Sequence, residues 1–341
     1  MTFSTRLIAW QKVHGRHDLP WQNTTDPYAI YLSEIMLQQS QVSTVIGYYS
    51  KFILRFPDLA TLANATQEEV LQHWSGLGYY SRARNLHKAA AIIRDTHHGV
   101  FPGDVGVMQS LPGIGRSTAA AIASFAFNQI ETILDGNVKR VLARHFLVEG
   151  WTSSPKVEKA LWAIAESLLP EENMVAYTQG LMDLGATVCT RSKPKCSECP
   201  LQSSCEAYRQ DRVRDLPTPK PRKTIPEKYT TMLILLNGDS VLLEKRAPSG
   251  IWGGLWSFPE TDQVTSAATV SARFGFTVDP GSPMDPVSHA FTHFKLHIQP
   301  QKWHLLNESN HVPPGHAWLP ITEAISAAIP APVRKLLLAI S

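Results

Sequence analysis

Leu111-Pro112-Gly113-Ile114-Gly115-Arg116-Ser117-Thr118 is a glycine-bearing turn that opens a helix. Without side chains at Gly113 and Gly115 the backbone can approach a phosphate closely, and the free N–H groups at the helix start present partial positive charge to it. Gly113, Gly115 and Arg116 are therefore candidate phosphate-binding residues, although an ordinary tight turn between two helices would use the same residues. The flanking sequence is helical. EEVLQHW, SRARNLHKAAAIIRDT, STAAAIASFAF and NVKRVLARHFL repeat their apolar residues with a period near 3.6, separated by Gly and Pro breakers. Residues 1 to 215 thus read as an all-α domain, with the helix–turn–helix element at about 108–127.

The composition fits a folded, multidomain chain. Its 341 residues exceed the roughly 100 to 200 typical of one domain. Hydrophobic residues make up 43% and charged residues 18%, outside the disordered range. LPTPKPRKTIP, at 216–226, combines prolines with basic residues and predicts an extended connector over 216–228. Beyond it, over 229–341, YTTMLILLN and SVLLEKR flank a Gly-Asp turn and predict a hairpin. VSHAFTHFKLHIQPQKW alternates like a later strand, and PVRKLLLAI reads as a closing helix, so this domain is α+β. The net charge of +3 is too small to establish a polyanionic partner. It divides as +4 over residues 1–228 and −1 over 229–341. No stretch approaches the roughly 20 apolar residues that span a bilayer, and the N-terminal segment reads as a helix, not a signal peptide. A cytoplasmic protein with no membrane partner is expected.

All four cysteines, Cys189, Cys196, Cys199 and Cys205, fall in one run spaced C-x6-C-x2-C-x5-C. In a large chain without a secretion signal this predicts a metal site rather than disulfides. Thiolates suit both zinc and iron–sulfur clusters, and ligand chemistry alone does not choose between them. Arg191, Lys193 and Lys195 nearby could offset the charge of such a site or bind phosphate.

Two carboxylates stand out. Asp135, in ILDGNVKR at 133–140, stands at the mouth of a helix, where an Asp commonly acts as N-cap. Glu34 lies on a helix running from about Tyr28 to Gln39 and stacks beside Ile30 and Tyr31, on the border of an apolar face. Taken alone, each has an ordinary structural explanation.

The combination is more specific. Glu34, the LPGIG turn, ILDGNVKR and the four-cysteine loop follow in an order that resembles the helix-hairpin-helix DNA glycosylase superfamily, its adenine-specific MutY branch in particular. Further similar stretches are LPWQ at 19–22, YLSEIMLQQSQV at 31–42, GLGYYSRARNLHKAA at 76–90, MDLGATVCTRSKPKCSECPLQSSC at 182–205 and SGIWGGLWSFP at 249–259. The resemblance implies a monofunctional adenine DNA glycosylase, acting as a monomer on double-stranded DNA with adenine opposite 8-oxoguanine or guanine. It also implies a 4Fe–4S cluster on Cys189, Cys196, Cys199 and Cys205, and two helical subdomains with a DNA cleft between them, into which the adenine is rotated. Glu34 would be the general acid that protonates the adenine at N7, its proton held by burial. Asp135 would stay ionised, favoured by the helix start, and oppose the oxocarbenium-like sugar, either as an electrostatic partner or as a nucleophile. Asn137 would support the site. Bifunctional relatives carry Lys where this chain has Ser117, and a hydroxyl cannot form their Schiff base; Lys139 is the other amine nearby. Leu19 and Trp21 would wall the adenine pocket, Gln179 would be its polar contact, and Gln39 and Tyr79 would wedge around the lesion.

The C-terminal region resembles the Nudix-like domain through which this branch reads 8-oxoguanine. Phe291-Thr292-His293 matches the lesion-reading loop, with Thr292 where many relatives have Ser: the hydroxyl is kept and a methyl is added. A working Nudix hydrolase needs a helix with several glutamates for its metal ions, whereas ETDQVTSAATVSARFG after Pro259 carries one Glu and one Asp. Two rival classes, a lyase-active pyrimidine glycosylase and a non-catalytic DNA-binding iron–sulfur protein, conflict with Ser117 and with the Glu34–Asp135 combination respectively.

Overall fold

The computed structural model describes residues 1–221, 224–307 and 309–341. Two residues of the expected connector, 222 and 223, lie outside the described residues. The chain forms two compact units, Met1–Asn64 with Asn85–Arg222, and Ala65–Arg84 with Lys223–Ser341. In chain order the helices up to the connector are α1 (Phe3–His14), α2 (Pro27–Leu37), α3 (Val42–Arg55), α4 (Leu59–Asn64), α5 (Gln67–Trp74), α6 (Ser81–Thr96), α7 (Val105–Ser110), α8 (Arg116–Phe127), α9 (Gly136–His145), α10 (Pro155–Ser167), α11 (Met174–Asp183) and α12 (Glu206–Arg209).

In the first unit, α2 decides the placement of the site. Asp26 caps it by accepting from the Tyr28 N–H, and Pro27 supplies the preset φ of a first helical turn. Tyr28 to Ser33, Ile35 and Met36 are all buried, so the helix is apolar on every side and runs through the interior. It packs on α3 and α8. The buried face of α8, Ala119 to Ser124, is small enough for a close approach. The helix stops at Leu37, earlier than its periodicity suggests, because Gln39 adopts φ 56°, in the left-handed region. Helix α11 runs on into a single π turn, Leu184–Val188, closed by the Cys189 N–H on the Leu184 carbonyl at 2.7 Å. Such turns recur at functional sites. Among the described residues no helix is long and apolar enough to cross a membrane.

The second unit is built on a mixed sheet of β1 (Glu227–Asn237), β2 (Ser240–Lys245), β3 (Trp256–Ser257), β4 (Glu260–Thr261), β5 (Ser282–Pro283), β6 (Val287–Ala290), β7 (Lys295–His304) and β8 (His316–Pro320). The path is β3-β2-β1-β7-β5, with β4, β6 and β8 attached to β1, β7 and β2. The expected hairpin is present: β1 and β2 pair antiparallel around Gly238-Asp239, with Asn237 opposite Ser240. In β1, Thr231 to Leu236 are consecutively buried, the pattern of a strand covered on both faces. Helices α13 (Ala267–Phe274), α14 (Ile321–Ser326) and α15 (Ala331–Leu338) complete the unit, with Val270 and Phe274 of α13 in the core beside Leu233, Leu235 and Trp303. One expectation changes. VSHAFTHFKLHIQPQKW is two antiparallel strands, β6 and β7, because the chain turns at Phe291–Phe294, where the Phe291 N–H meets the Phe294 carbonyl at 2.9 Å.

Residues 65–84 read as part of the helical domain in the sequence, yet they pack within this second unit. Glu68 accepts from Trp256 Nε1 and pairs with Lys245. Ser75 and Tyr80 hydroxyls donate to the Ile329 carbonyl, and Arg84 donates to the Gly253 carbonyl at 2.8 Å.

Candidate active site

Glu34 is the only ionisable carboxyl on α2, and the helix carries it to the seam of two cavities in the first unit. One, of about 360 Å³, is lined by Leu19, Trp21, Gln179 and Glu34. The other is an open cleft of about 790 Å³, lined by Glu34, Gln39, Ser117, Asp135, Asn137 and Arg140. Both volumes are in the range of small-ligand sites. Leu19 and Trp21 are buried walls, Trp21 packing edge-on against Tyr49 with centroids 5.4 Å apart.

Burial pushes the Glu34 carboxyl up to about 8, and Asp135 across the cleft adds to the shift. Among the described residues no hydrogen bond to its carboxylate pulls it back. Asp135 caps α9, accepting from the Val138 N–H at 2.8 Å. The helix start was expected to keep it ionised, but burial pushes its carboxyl upward, because the desolvation of a half-buried charge outweighs the cap. The N–H groups of Val138 and Asn137, and Arg140 nearby, oppose that shift. Of this coupled pair, Glu34 is the better proton holder and Asp135 the better anion.

Asn137 accepts from Arg140 Nη2 at 2.8 Å. The same guanidinium donates to the Gly185 carbonyl at 2.7 Å and, through Nε, to the Cys189 carbonyl at 2.8 Å. One turn later the buried Arg144 reaches Cys189 Sγ at 3.3 Å and the Thr190 carbonyl at 2.7 Å. Helix α9 thus presents Asp135 and Asn137 at its start and grips the cysteine loop further along. Gly185 is obligatory here, since a Cβ would stand 2.6 Å from that of Asn137. Ser117 Oγ accepts from the Leu134 N–H at 3.0 Å, fixing the residue before Asp135.

Cys189, Cys196, Cys199 and Cys205 rim one cavity together with Arg144, Leu184 and Leu201. Among the described residues no three of His, Cys, Asp or Glu converge as for a single ion. Burial pushes the Cys199 thiol up to about 12, and those of Cys196 and Cys205 upward, so these thiols keep their protons unless a bound cation displaces them. Soft donors spread around a cavity suit a polynuclear cluster.

At the hairpin, Gly113 has φ 83° and a Cβ there would stand 2.9 Å from that of Asn85. Gly115 gives α8 no side-chain cap, so no side chain among the described residues caps the leading N–H groups of the helix. Arg116 is engaged elsewhere, on Glu166 at 2.5 Å and over the Trp162 ring at 3.9 Å. An exposed pair of this kind is weak. Gln38, which the sequence reading missed, ties α2 to the hairpin through Thr118 Oγ1 at 3.3 Å. Lys139 is paired with Glu158 at 2.6 Å.

Within the second unit, Tyr79, Phe291, Thr292 and His293 line one pocket of about 780 Å³. Tyr79 has φ 48° and stays exposed, while Phe291 is held by rings, stacked on Phe294 at 4.4 Å and tilted on Trp252 at 5.5 Å.

The class of protein follows from these features and their counterparts elsewhere. Residues 32–167 match the HhH-GPD superfamily of base excision DNA repair proteins, residues 189–205 the iron–sulfur binding domain of endonuclease III, and residues 230–339 the NUDIX domain. A thermostable thymine-DNA glycosylase structure is 29% identical, with a TM-score of 0.55 over 61% of this chain and 95% of its own. A non-covalent endonuclease III–DNA complex, 22% identical with a TM-score of 0.52 over 63% of this chain and all of its own, shares the fold. The fold is thus a helix-hairpin-helix glycosylase with a NUDIX-type domain, its cofactor is an iron–sulfur cluster, and the loop that matches the iron–sulfur binding domain carries all four thiols. More particularly, the chain is 38% identical to the adenine DNA glycosylase of Buchnera aphidicola (subsp. Acyrthosiphon pisum) over 98% of its own length and 96% of the relative's. It is 33% identical to that of Mus musculus over 98% and 76%. The chain belongs to the adenine DNA glycosylase family.

Arg140→Met should free the carbonyls of Gly185 and Cys189 together with the Asn137 amide oxygen. Visible cluster absorbance per chain should fall, and single-turnover adenine excision should drop by at least about tenfold, about 1.4 kcal/mol in barrier. Wild-type values of both would refute the link between loop and cleft.

Proposed function

We propose that this enzyme removes adenine paired with 8-oxoguanine, or with guanine, from duplex DNA by hydrolysis alone, leaving an abasic site. The observation that carries this reading is the position of Glu34, half-buried and proton-holding at the seam between the cavity of Leu19, Trp21 and Gln179 and the cleft of Asp135. A base in the first cavity has its sugar at the seam. Glu34 delivers its proton to N7 of the adenine, turning a poor anionic leaving group into a neutral one. Asp135 opposes the positive charge that grows on the sugar, the division of labour of paired carboxylates in glycosidases. Asn137, held by Arg140, keeps Asp135 and the attacking water in register. The hairpin N–H groups after Gly113 and Gly115 hold a backbone phosphate, with Arg116 swinging from Glu166 to join them. The cluster supplies no step; its four cysteines fold the loop that Arg140 and Arg144 grip.

Hydrolysis without strand cleavage is supported by the amines being absent or occupied. Ser117 stands where lyases need Lys, and Lys139 is paired with Glu158. Reading of the opposite base is assigned to the second unit, where Tyr79 and Phe291-Thr292-His293 share a pocket lined by aromatic rings and hydroxyls. Nudix hydrolysis there is disfavoured: α13, AATVSARF, carries no carboxylate, and Glu260 is paired with Arg246 at 2.5 Å.

On duplex with adenine opposite 8-oxoguanine, strand breaks should appear only after alkali; breaks without alkali would contradict the hydrolytic reading. Glu34→Gln and Asp135→Asn should each lower excision by at least about 100-fold while DNA binding persists. Near-wild-type excision by either variant would remove that residue from its role.

The acid must be protonated to act. With its carboxyl at about 8, Glu34 keeps its proton below that pH and loses it above. The single-turnover rate should therefore be level on the neutral side and fall about tenfold per unit at higher pH. A falling limb already complete by about pH 6 would contradict the assignment.

A further inference from the structure

Asp183 ends α11 fully buried, and each of its oxygens is engaged. Oδ2 accepts from the backbone N–H of Arg16 at 2.9 Å, and Oδ1 from the Arg16 guanidinium at 2.6 Å. Oδ1 also accepts from Nε2 of Gln179 at 2.8 Å, one turn earlier on the same helix. A carboxylate paired with a guanidinium only accepts, so the Gln179 amide has one allowed sense: its NH₂ group turns to Asp183. The two ends of a glutamine amide are otherwise interchangeable in shape, and the network is what distinguishes them. The amide is planar, which turns Oε1 away from Asp183. Among the described residues nothing donates to Oε1, and Gln179 lines the cavity of Leu19, Trp21 and Glu34.

We infer that Asp183, itself fixed by Arg16, sets the donor–acceptor sense of Gln179, so that the cavity offers a carbonyl oxygen that accepts from an exocyclic amine and repels an exocyclic oxygen. Adenine carries the amine at C6. Hypoxanthine is close to the same size and shape but carries an oxygen there, and would set two acceptors against each other. A site built to hydrogen-bond a substrate group rejects analogues lacking that group far more strongly than apolar walls can. Asp183 is thus a positioning residue for base selectivity, acting through Gln179. The inference rests on the proposed reading of this cavity as the adenine pocket.

The test compares single-turnover excision of adenine and of hypoxanthine, each opposite 8-oxoguanine, by the full chain. The ratio of the two rates is internal to each variant and cancels any loss of folded protein. Asp183→Ala frees the Gln179 amide to turn over, and the adenine-to-hypoxanthine ratio should fall by about tenfold or more. Gln179→Leu, which has no amide to orient, should lower it at least as far. A ratio unchanged in Gln179→Leu would overturn the pocket reading itself. A ratio that collapses in Gln179→Leu but persists in Asp183→Ala would leave the pocket standing and overturn the orienting role of Asp183. If Asp183→Ala does not fold, Asp183→Asn is judged by the same ratio: it keeps the volume but has one acceptor for three donors, so the ratio should fall in the same direction, and an unchanged ratio overturns the inference.

Discussion

Glu34 sits on a helix whose other side chains are nearly all apolar and buried, and the arrangement of the first unit follows from what that does to a carboxyl. Taking the charged form out of water is costly, so the group holds its proton into the alkaline range. The same burial acts on Asp135, but there the α9 N–H groups and Arg140 pull against it. Both carboxyls are pushed upward, but only Asp135 has N–H donors and a guanidinium opposing the shift, so Glu34 is the better proton holder and Asp135 the better anion. The apolar packing of α2 against α3 and α8 is thus part of the chemistry.

The metal-binding loop enters the same account mechanically. Arg140 joins Asn137 to the Cys189 and Gly185 carbonyls, and Arg144 reaches the Cys189 sulfur. Because Asp135 caps α9 and Asn137 lies in its first turn, Arg140 ties the start of that helix to the loop. The π turn after Asp183 belongs to this joint too: it offsets the chain just before Cys189, directly after the carboxylate that fixes Gln179. The residues proposed for base selection, sugar stabilisation and cluster binding thus lie on α11, at the start of α9 and on the loop that follows α11.

Much of this was legible in the sequence where the signal is local. The cysteine spacing, the Gly113–Gly115 turn, the Asp135 cap and the β1–β2 hairpin depend on neighbours in the chain, and each took its expected form. The Arg16–Asp183 pair was not legible, because its members are 167 residues apart and a buried acid looks like any other in a string of letters. The periodicity of NVKRVLARHFL marks only an apolar face and gives no sign that the guanidinium groups of Arg140 and Arg144 turn inward onto backbone carbonyls. The upward shift of Asp135 ran against the expectation from its helix start, since the depth of burial is a tertiary property. Alternation concealed the break at Phe291–Phe294, and nothing local marks residues 65–84 as packing with the C-terminal sheet.

Direct observation of the Glu34 proton tests the central claim most closely. In protein labelled with ¹³C at the glutamate carboxyl, one resonance should titrate with a midpoint near 8 and should be missing from Glu34→Gln. If the resonance lost in that variant instead titrates near the ordinary glutamate value of about 4.3, Glu34 is ionised at neutral pH and the division of roles between the two carboxyls is wrong.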